Sequence, residues 1–317
     1  MMSDDSPMPS VAARDVGLRR FASLASLTVA VVLVAVKLAA WILTRSIALL
    51  TSAVDGLVDA AATFATYFGV RYAARPPDRE HRFGHGKGEA VAGFTQATFL
   101  AGAALALCFQ SAERLASPEP IEQLGLGMVV VVVGLLVAIG LVAMQTWVVR
   151  QTGSTAIAAD RAHYFADVAV NVAVLFALGV TRFTGWDRAD PVFALGISGY
   201  MLLSSYGIAI VALKKLLDRE LPTAERRRIK DTILACSNVR GLHDLRTRYS
   251  GDRTFVEFHL ELDCRLTIAR GHAIGDAAED AVRRLFLPAV ADVTAHLEPA
   301  GIVDDRLGEQ VAAVSNT

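Results

Sequence analysis

Six runs of apolar residues constrain this chain more than any other feature, because each is long enough, at roughly 20 residues, to cross the hydrocarbon core of a bilayer as a helix. They read Phe21–Leu43, Ile47–Tyr72, Ala90–Leu115, Leu124–Val149, Thr155–Thr181 and Pro191–Leu213. More than half of all residues are apolar (53 %), which belongs to a membrane protein rather than a soluble globule. The second and fifth runs are the weakest on hydropathy, since each carries acidic residues at membrane depth. An even number of spans puts both termini on one side.

Basic residues near the span ends assign that side. Arg14, Arg19 and Arg20 precede the first span, Arg71, Arg75, Arg79, Arg82 and Lys87 lie between the second and third, and Lys214 and Lys215 follow the sixth. The opposite loops, Ser117–Gln123 and Thr184–Asp190, are acidic or nearly so. Lys and Arg are retained on the cytoplasmic side, so both termini are expected there. The first run is too long for a signal-peptide core and reads as a retained helix. Cys108, Cys236 and Cys264 form no CxxC pair, which fits a reducing interior without a disulfide framework. A net charge of -1 gives no sign of nucleic-acid binding.

After Lys215 the apolar runs shorten and charges become frequent, enough chain remaining for one small domain. Pro222 opens an amphipathic helix over Thr223–Cys236; strands are expected over Leu242–Ser250 and Thr254–Asp263 about the turn Gly251–Arg253; a second helix covers Ile268–Phe286 and a last strand Ala291–Pro299. The order αββαβ is compatible with a ferredoxin-like α+β sandwich. The expected organisation is a flexible tail over 1–16, a six-helix transmembrane domain over 17–215, a cytoplasmic domain over 216–300 and a second tail over 301–317.

Ionisable residues inside the spans point to chemistry. Asp55 and Asp59 in the second span, and His163 and Asp167 in the fifth, each stand four apart, so each pair lies on one helix face about 6 Å apart along the axis. Such groups cost several kcal/mol at membrane depth unless they meet a partner, a cation or a water-filled cavity. Three carboxylates and one imidazole suit a tetrahedral Zn²⁺ shell; the alternatives are a water-filled seam or pairing with Lys37 or Arg161. The chain's other six histidines fall outside the spans. Asp78, His81 and His85 form D-x-x-H-x-x-x-H in a cytoplasmic loop, either a three-ligand site or simply a charged loop. His243, His259, His272 and His296 all fall in the soluble domain, with His296 and Glu298 at alternate, same-facing strand positions. They read as metal ligands or as imidazoles hydrogen-bonded in a sheet.

The motifs SAVDGLVD, HRFGHGK, ADRAHYFADV, LLDRELP and GLHDLRTRYSG, in that order, closely resemble the cation diffusion facilitators of the bacterial zinc and ferrous-iron efflux type, from about Phe21 to Pro299. The resemblance implies an α-helical membrane protein with six transmembrane helices and a C-terminal cytoplasmic ferredoxin-like, metallochaperone-like domain, working as a homodimeric metal/proton antiporter in the bacterial inner membrane. It implies that Asp55, Asp59, His163 and Asp167 carry the transported ion and that Asp78, His81 and His85 hold a secondary one. It implies further that His243, His259, His296 and Glu298, with His272 nearby, hold a binuclear site across the dimer, and that Lys87 pairs with Asp218. One departure is Glu298, where the group usually has Asp. Zn²⁺ is the expected substrate and regulatory ion, with Fe²⁺, Cd²⁺ and Mn²⁺ as alternatives. Membrane lipid, divalent ions and protons are the expected partners, with no nucleic acid. A membrane metalloenzyme and a metal-sensing receptor are the other classes; no HExxH or GxSxG occurs, and a sensor has little need of four ligands in the bilayer.

Overall fold

The computed structural model describes residues 11–45, 47–116, 126–186, 188–287 and 289–301. The acidic loop at 117–123 and most of both expected tails lie outside these residues. The chain divides into two compact units, Met1–Leu217 and Asp218–Thr317.

Among its described residues the first unit holds six helices: α1 (Val11–Thr44), α2 (Ile47–Ala73), α3 (Gly88–Ala116), α4 (Leu126–Thr152), α5 (Thr155–Thr184) and α6 (Ala189–Leu216). Helix α1 begins six residues inside the stretch expected as a tail (17 − 11). Among the described residues, five helices (α1, α3, α4, α5 and α6) are long and apolar enough to cross a membrane. The exception is α2, whose 27 residues would still span about 40 Å at 1.5 Å per residue. It carries Asp55 and Asp59 near its middle. Helix α5 does not share that weakness, contrary to expectation, because the apolar run from Val168 onward outweighs its acidic residues.

Local signals set the helix ends that matter. Gly153, at φ +60°, turns the chain between α4 and α5, a left-handed conformation that costs glycine nothing. Ser154 then caps α5, its Oγ accepting from Ile157 N at 3.2 Å. Gly185 closes the helix at φ +70°, its N–H donating to Thr181 O. At the opposite end of α5 from Gly185, Arg19 of α1 reaches Glu89 of α3 at 3.2 Å and donates to Thr152 O at 2.9 Å, while Ser154 Oγ donates to Glu89. Lys215 of α6 contacts Thr155 Oγ1. This charge-assisted knot ties α1, α3, α5 and α6 where α5 starts. Close approach of α2 and α3 depends on Gly69, since a Cβ there would collide with the Ala92 methyl.

The second unit runs α7 (Thr223–Leu234), β1 (Gly241–Ser250), β2 (Arg253–Leu262), α8 (Ile268–Leu285) and β3 (Val290–Pro299), the expected αββαβ order. The sheet order is β1-β2-β3, with β1 and β2 antiparallel and β2 and β3 parallel across α8. Strand alternation sorts the sheet faces. Val256, Phe258, Leu260 and Leu262 of β2 and Val293 of β3 pack with Ile229 and Ile233 of α7 and Ile274, Ala278 and Val282 of α8 into one buried core. The intervening residues, among them His259, Glu261, His296 and Glu298, therefore take the other face.

Candidate metal centres

Three groups of ligand-bearing side chains gather among the described residues, each with its ligand atoms within 4.8 Å of one another: Asp59, His163 and Asp167; Asp78, His81 and His85; and His243, His259 and Glu298.

The first lies between α2 and α5. His163 Nε2 stands 3.1 Å from Asp59 Oδ1 and 3.7 Å from Asp167 Oδ2. The i,i+4 spacing puts His163 over Asp167 on α5, and antiparallel packing brings Asp59 to the same level. Both ring nitrogens of His163 are buried, and Nε2 faces the carboxylates of Asp59 and Asp167. Two carboxylate oxygens and an imidazole nitrogen converging at this distance make a hard-to-borderline donor set that suits a divalent cation. Asp55 occupies the α2 position that the spacing requires, one turn from Asp59, but it is exposed and its carboxylate stands outside the group. Lys37 Nζ donates to Ser52 O at 3.2 Å.

The second group occupies the α2–α3 loop. Asp78 Oδ1 accepts from the N–H groups of His81 (2.7 Å) and Glu80 (2.9 Å), folding the loop back on itself. Asp78 then stands 3.4 Å from His81 Nδ1 and 3.3 Å from His85 Nε2. His85 is buried edge-on against Tyr72, with ring centroids 4.7 Å apart, and the two imidazole centroids are 4.4 Å apart. The His81 N–H, with help from Glu80 and His85, holds the Asp78 carboxyl below the usual carboxylate range. The Asp78 carboxyl is therefore ionised at neutral pH.

The third group stands on the helix-free face of the sheet. Strand register places His243 opposite His259 and His259 opposite His296, so three histidines form one row across three strands. The neighbouring row runs Gly241, Glu261, Glu298. Glu298 bridges the first row, its Oε2 3.1 Å from His243 Nε2 and its Oε1 2.8 Å from His259 Nδ1, with His296 Nε2 3.6 Å away. The longer carboxylate thus reaches both imidazoles. His272 is not drawn in: it is exposed on α8, 3.4 Å from Asp276.

Two members of this face are not singled out by the sequence. Glu261 Oε1 lies 3.0 Å from His243 Nδ1; the Nδ1–H donating to it would leave Nε2 turned toward Glu298. Asp244 approaches His259 Nε2 at 3.6 Å from an irregularity in β1, where it holds φ +47°. The signal for Glu261 was available, since His259 and Glu261 alternate as His296 and Glu298 do. Asp244 depends on a bulge that alternation does not reveal. Lys87 Nζ donates to Leu216 O at 3.3 Å, and Asp218 stands 3.3 Å from Arg248.

A helical unit with an acid–histidine group between its helices, followed by a small α/β unit with its own, has the side chains with which a membrane protein could hold divalent cations. Comparison with known sequences makes the class specific. The profile described as the cation efflux transmembrane domain matches residues 23–217, and that of the cation efflux protein cytoplasmic domain matches 221–300. Over 282 residues the chain is 43 % identical to the cation-efflux pump FieF of Klebsiella pneumoniae, covering 89 % of this chain and 93 % of that one. The FieF pump of Salmonella arizonae matches at the same identity and coverage. A solved MamM fragment (MamM-CTD) is 25 % identical over 24 % of this chain and 95 % of its own, at a TM-score of 0.23. The chain belongs to the cation efflux family, the cation diffusion facilitators, and is a multi-pass membrane transporter of cations.

Proposed function

We propose that this transporter exports Zn²⁺ from the cytoplasm of a bacterium across the inner membrane in exchange for protons, as a homodimer with both termini cytoplasmic. The observation that carries the reading is the convergence of Asp59, His163 and Asp167 between two membrane helices. Asp55, one turn away on α2, is the fourth ligand when the ion is bound.

Imidazole must be deprotonated to coordinate a metal, and its reference pKa of about 6.5 lies close to the pH on either side of such a membrane. Metal and proton therefore exclude one another at His163, and an inward proton gradient drives the metal outward. One nitrogen with oxygens suits Zn²⁺ better than Mn²⁺, which accepts all-oxygen sets. The sheet face bearing His243, His259, His296 and Glu298 binds the same ion as a regulatory ligand between subunits, and the Asp78 loop gathers it near the entrance. That the relatives are named pumps favours transport over an enzyme or a sensor.

Flux of Zn²⁺, Fe²⁺, Cd²⁺ and Mn²⁺ into inverted membrane vesicles tests the substrate. Zn²⁺ is expected to lead; a clear lead by another of the four would displace it.

A further inference from the structure

The most deeply buried acidic residue among those described, Asp160, takes no part in the ligand groups. Asp160 of α5 has no exposed surface, and four helices converge on it. Its Oδ2 accepts from Gln145 Nε2 of α4 at 2.7 Å; its Oδ1 accepts from Thr63 Oγ1 of α2 at 3.3 Å and from Gln96 Nε2 of α3 at 3.4 Å. Gln145 also donates to Ser26 Oγ of α1 at 2.7 Å. Tyr164, one turn along α5, stands 3.4 Å from Thr63 Oγ1 and donates to Ser26 O at 3.3 Å. Ser26, Thr63, Gln96 and Gln145 are as fully buried as Asp160.

The placement of this cluster relative to the ligands gives it a direction. Thr63 follows Asp59 by one turn on α2, and Asp160 precedes His163 by about one turn on the antiparallel α5. Both steps lead toward the same end of the unit, the end with the Arg19–Glu89–Ser154 knot. Away from that end the burial falls: the His163 side chain is 4 % exposed, those of Asp59 and Asp167 are 37 % and 41 % exposed, and Asp55 is exposed. The ligand group is thus open on one side and closed by buried polar contacts on the other.

We propose that Asp160 is the centre of a polar latch that shuts the cytoplasmic approach to the transport site, and that Asp160's contacts with Thr63, Gln96 and Gln145 must part for the ion to enter. The proposal rests on the transporter reading and on cytoplasmic termini, which make the closed end the cytoplasmic one. A carboxylate without water in a bilayer-embedded unit is held by donors or not tolerated, so its contacts are made together or exchanged together for water. That gives two discrete arrangements, as alternating access requires.

The test is sidedness of access. In the full chain with Cys108, Cys236 and Cys264 changed to Ser, Asp59→Cys supplies one thiol at the ligand group, labelled by a membrane-impermeant maleimide in inverted or right-side-out vesicles. Asp160→Ala is expected to raise the rate from the cytoplasmic face by about tenfold, the worth of a hydrogen bond or two, while the rate from the opposite face falls. Thr63→Val, which keeps shape and removes one contact, is expected to act in the same direction more weakly, and it serves if Asp160→Ala does not fold. Equal acceleration from both faces, or none from the cytoplasmic face, overturns the latch. Metal flux by the unmodified chain is measured in parallel, so a failure of the transport reading is seen separately from a failure of the latch.

Discussion

Asp59 Oδ1 lies 3.1 Å from His163 Nε2, joining two helices that no sequence spacing pairs. The contact makes His163 the one nitrogen donor in an otherwise carboxylate group and fixes what its replacement should do. His163→Asp turns the set into oxygen alone, which harder or larger ions accept. Flux of Mn²⁺ relative to Zn²⁺ in proteoliposomes is expected to rise by about tenfold or more, and the pH dependence of transport to change with loss of the imidazole. An unchanged metal ranking with an unchanged pH profile would remove His163 from both roles.

In the α2–α3 loop, Asp78 is held ionised by backbone donors. A lowered folded-state pKa contributes order that is complete above the ordinary carboxylate pKa of about 3.9 and is lost as pH falls through the lower folded value. Amide exchange at Glu80 and His81, corrected for intrinsic rates, should therefore keep its protection from pH 8 down to about 5. Loss of protection already near pH 6 would contradict the turn as drawn. Replacing His81 and His85 together by Ala should slow zinc flux only severalfold, since these residues stand outside the membrane site.

On the sheet face, His259 contacts Glu298 at 2.8 Å, whereas His272 points to Asp276. His259→Ala is expected to weaken zinc binding by the purified transporter's cytoplasmic unit by about 10–100-fold, the range seen when a metal site's supporting groups are lost. His272→Ala should leave it within about twofold of the parent. Calorimetric titration of the detergent-solubilised protein separates the two, and equal losses would mean that α8 closes onto the site.

If Lys87 and Asp218 pair, reversing either charge should lower transport or dimer stability, and reversing both should recover part of the loss. A double variant no better than the worse single one would remove the pair from the account.

Much of the fold was legible because the two periodicities that reveal elements are local. Six apolar runs gave helix positions to within a few residues except at the start of α1, and alternation gave all three strands of the second unit. The pairing of acidic and imidazole side chains along single helices was legible for the same reason: four-residue spacing puts Asp55 with Asp59 and His163 with Asp167 on single faces. What remained hidden was whatever depends on contacts between elements. Asp160 stands three residues before His163, and no local spacing marks it, since its surroundings come from α1, α2, α3 and α4. Glu261 is framed by Gly241 across the strand pair, where a side chain would collide with its carboxylate. The row His243–His259–His296 needed the register, and the register of β1 shifts at an irregularity that the sequence does not mark.

If the Asp59–His163–Asp167 group moves metal against protons, paired flux measurements will show the two crossing in opposite directions. Sealed proteoliposomes carrying the parent chain or Asp167→Ala, with zinc and pH dyes read together, are given a pH gradient in either direction. Zinc is expected to reverse its direction with the imposed gradient while protons move the opposite way, and Asp167→Ala, assembled at matched amounts, is expected to lose up to the roughly 100-fold that disturbing a metal site costs, or more. Zinc flux indifferent to the pH gradient, or undiminished in Asp167→Ala, would contradict such an exchange.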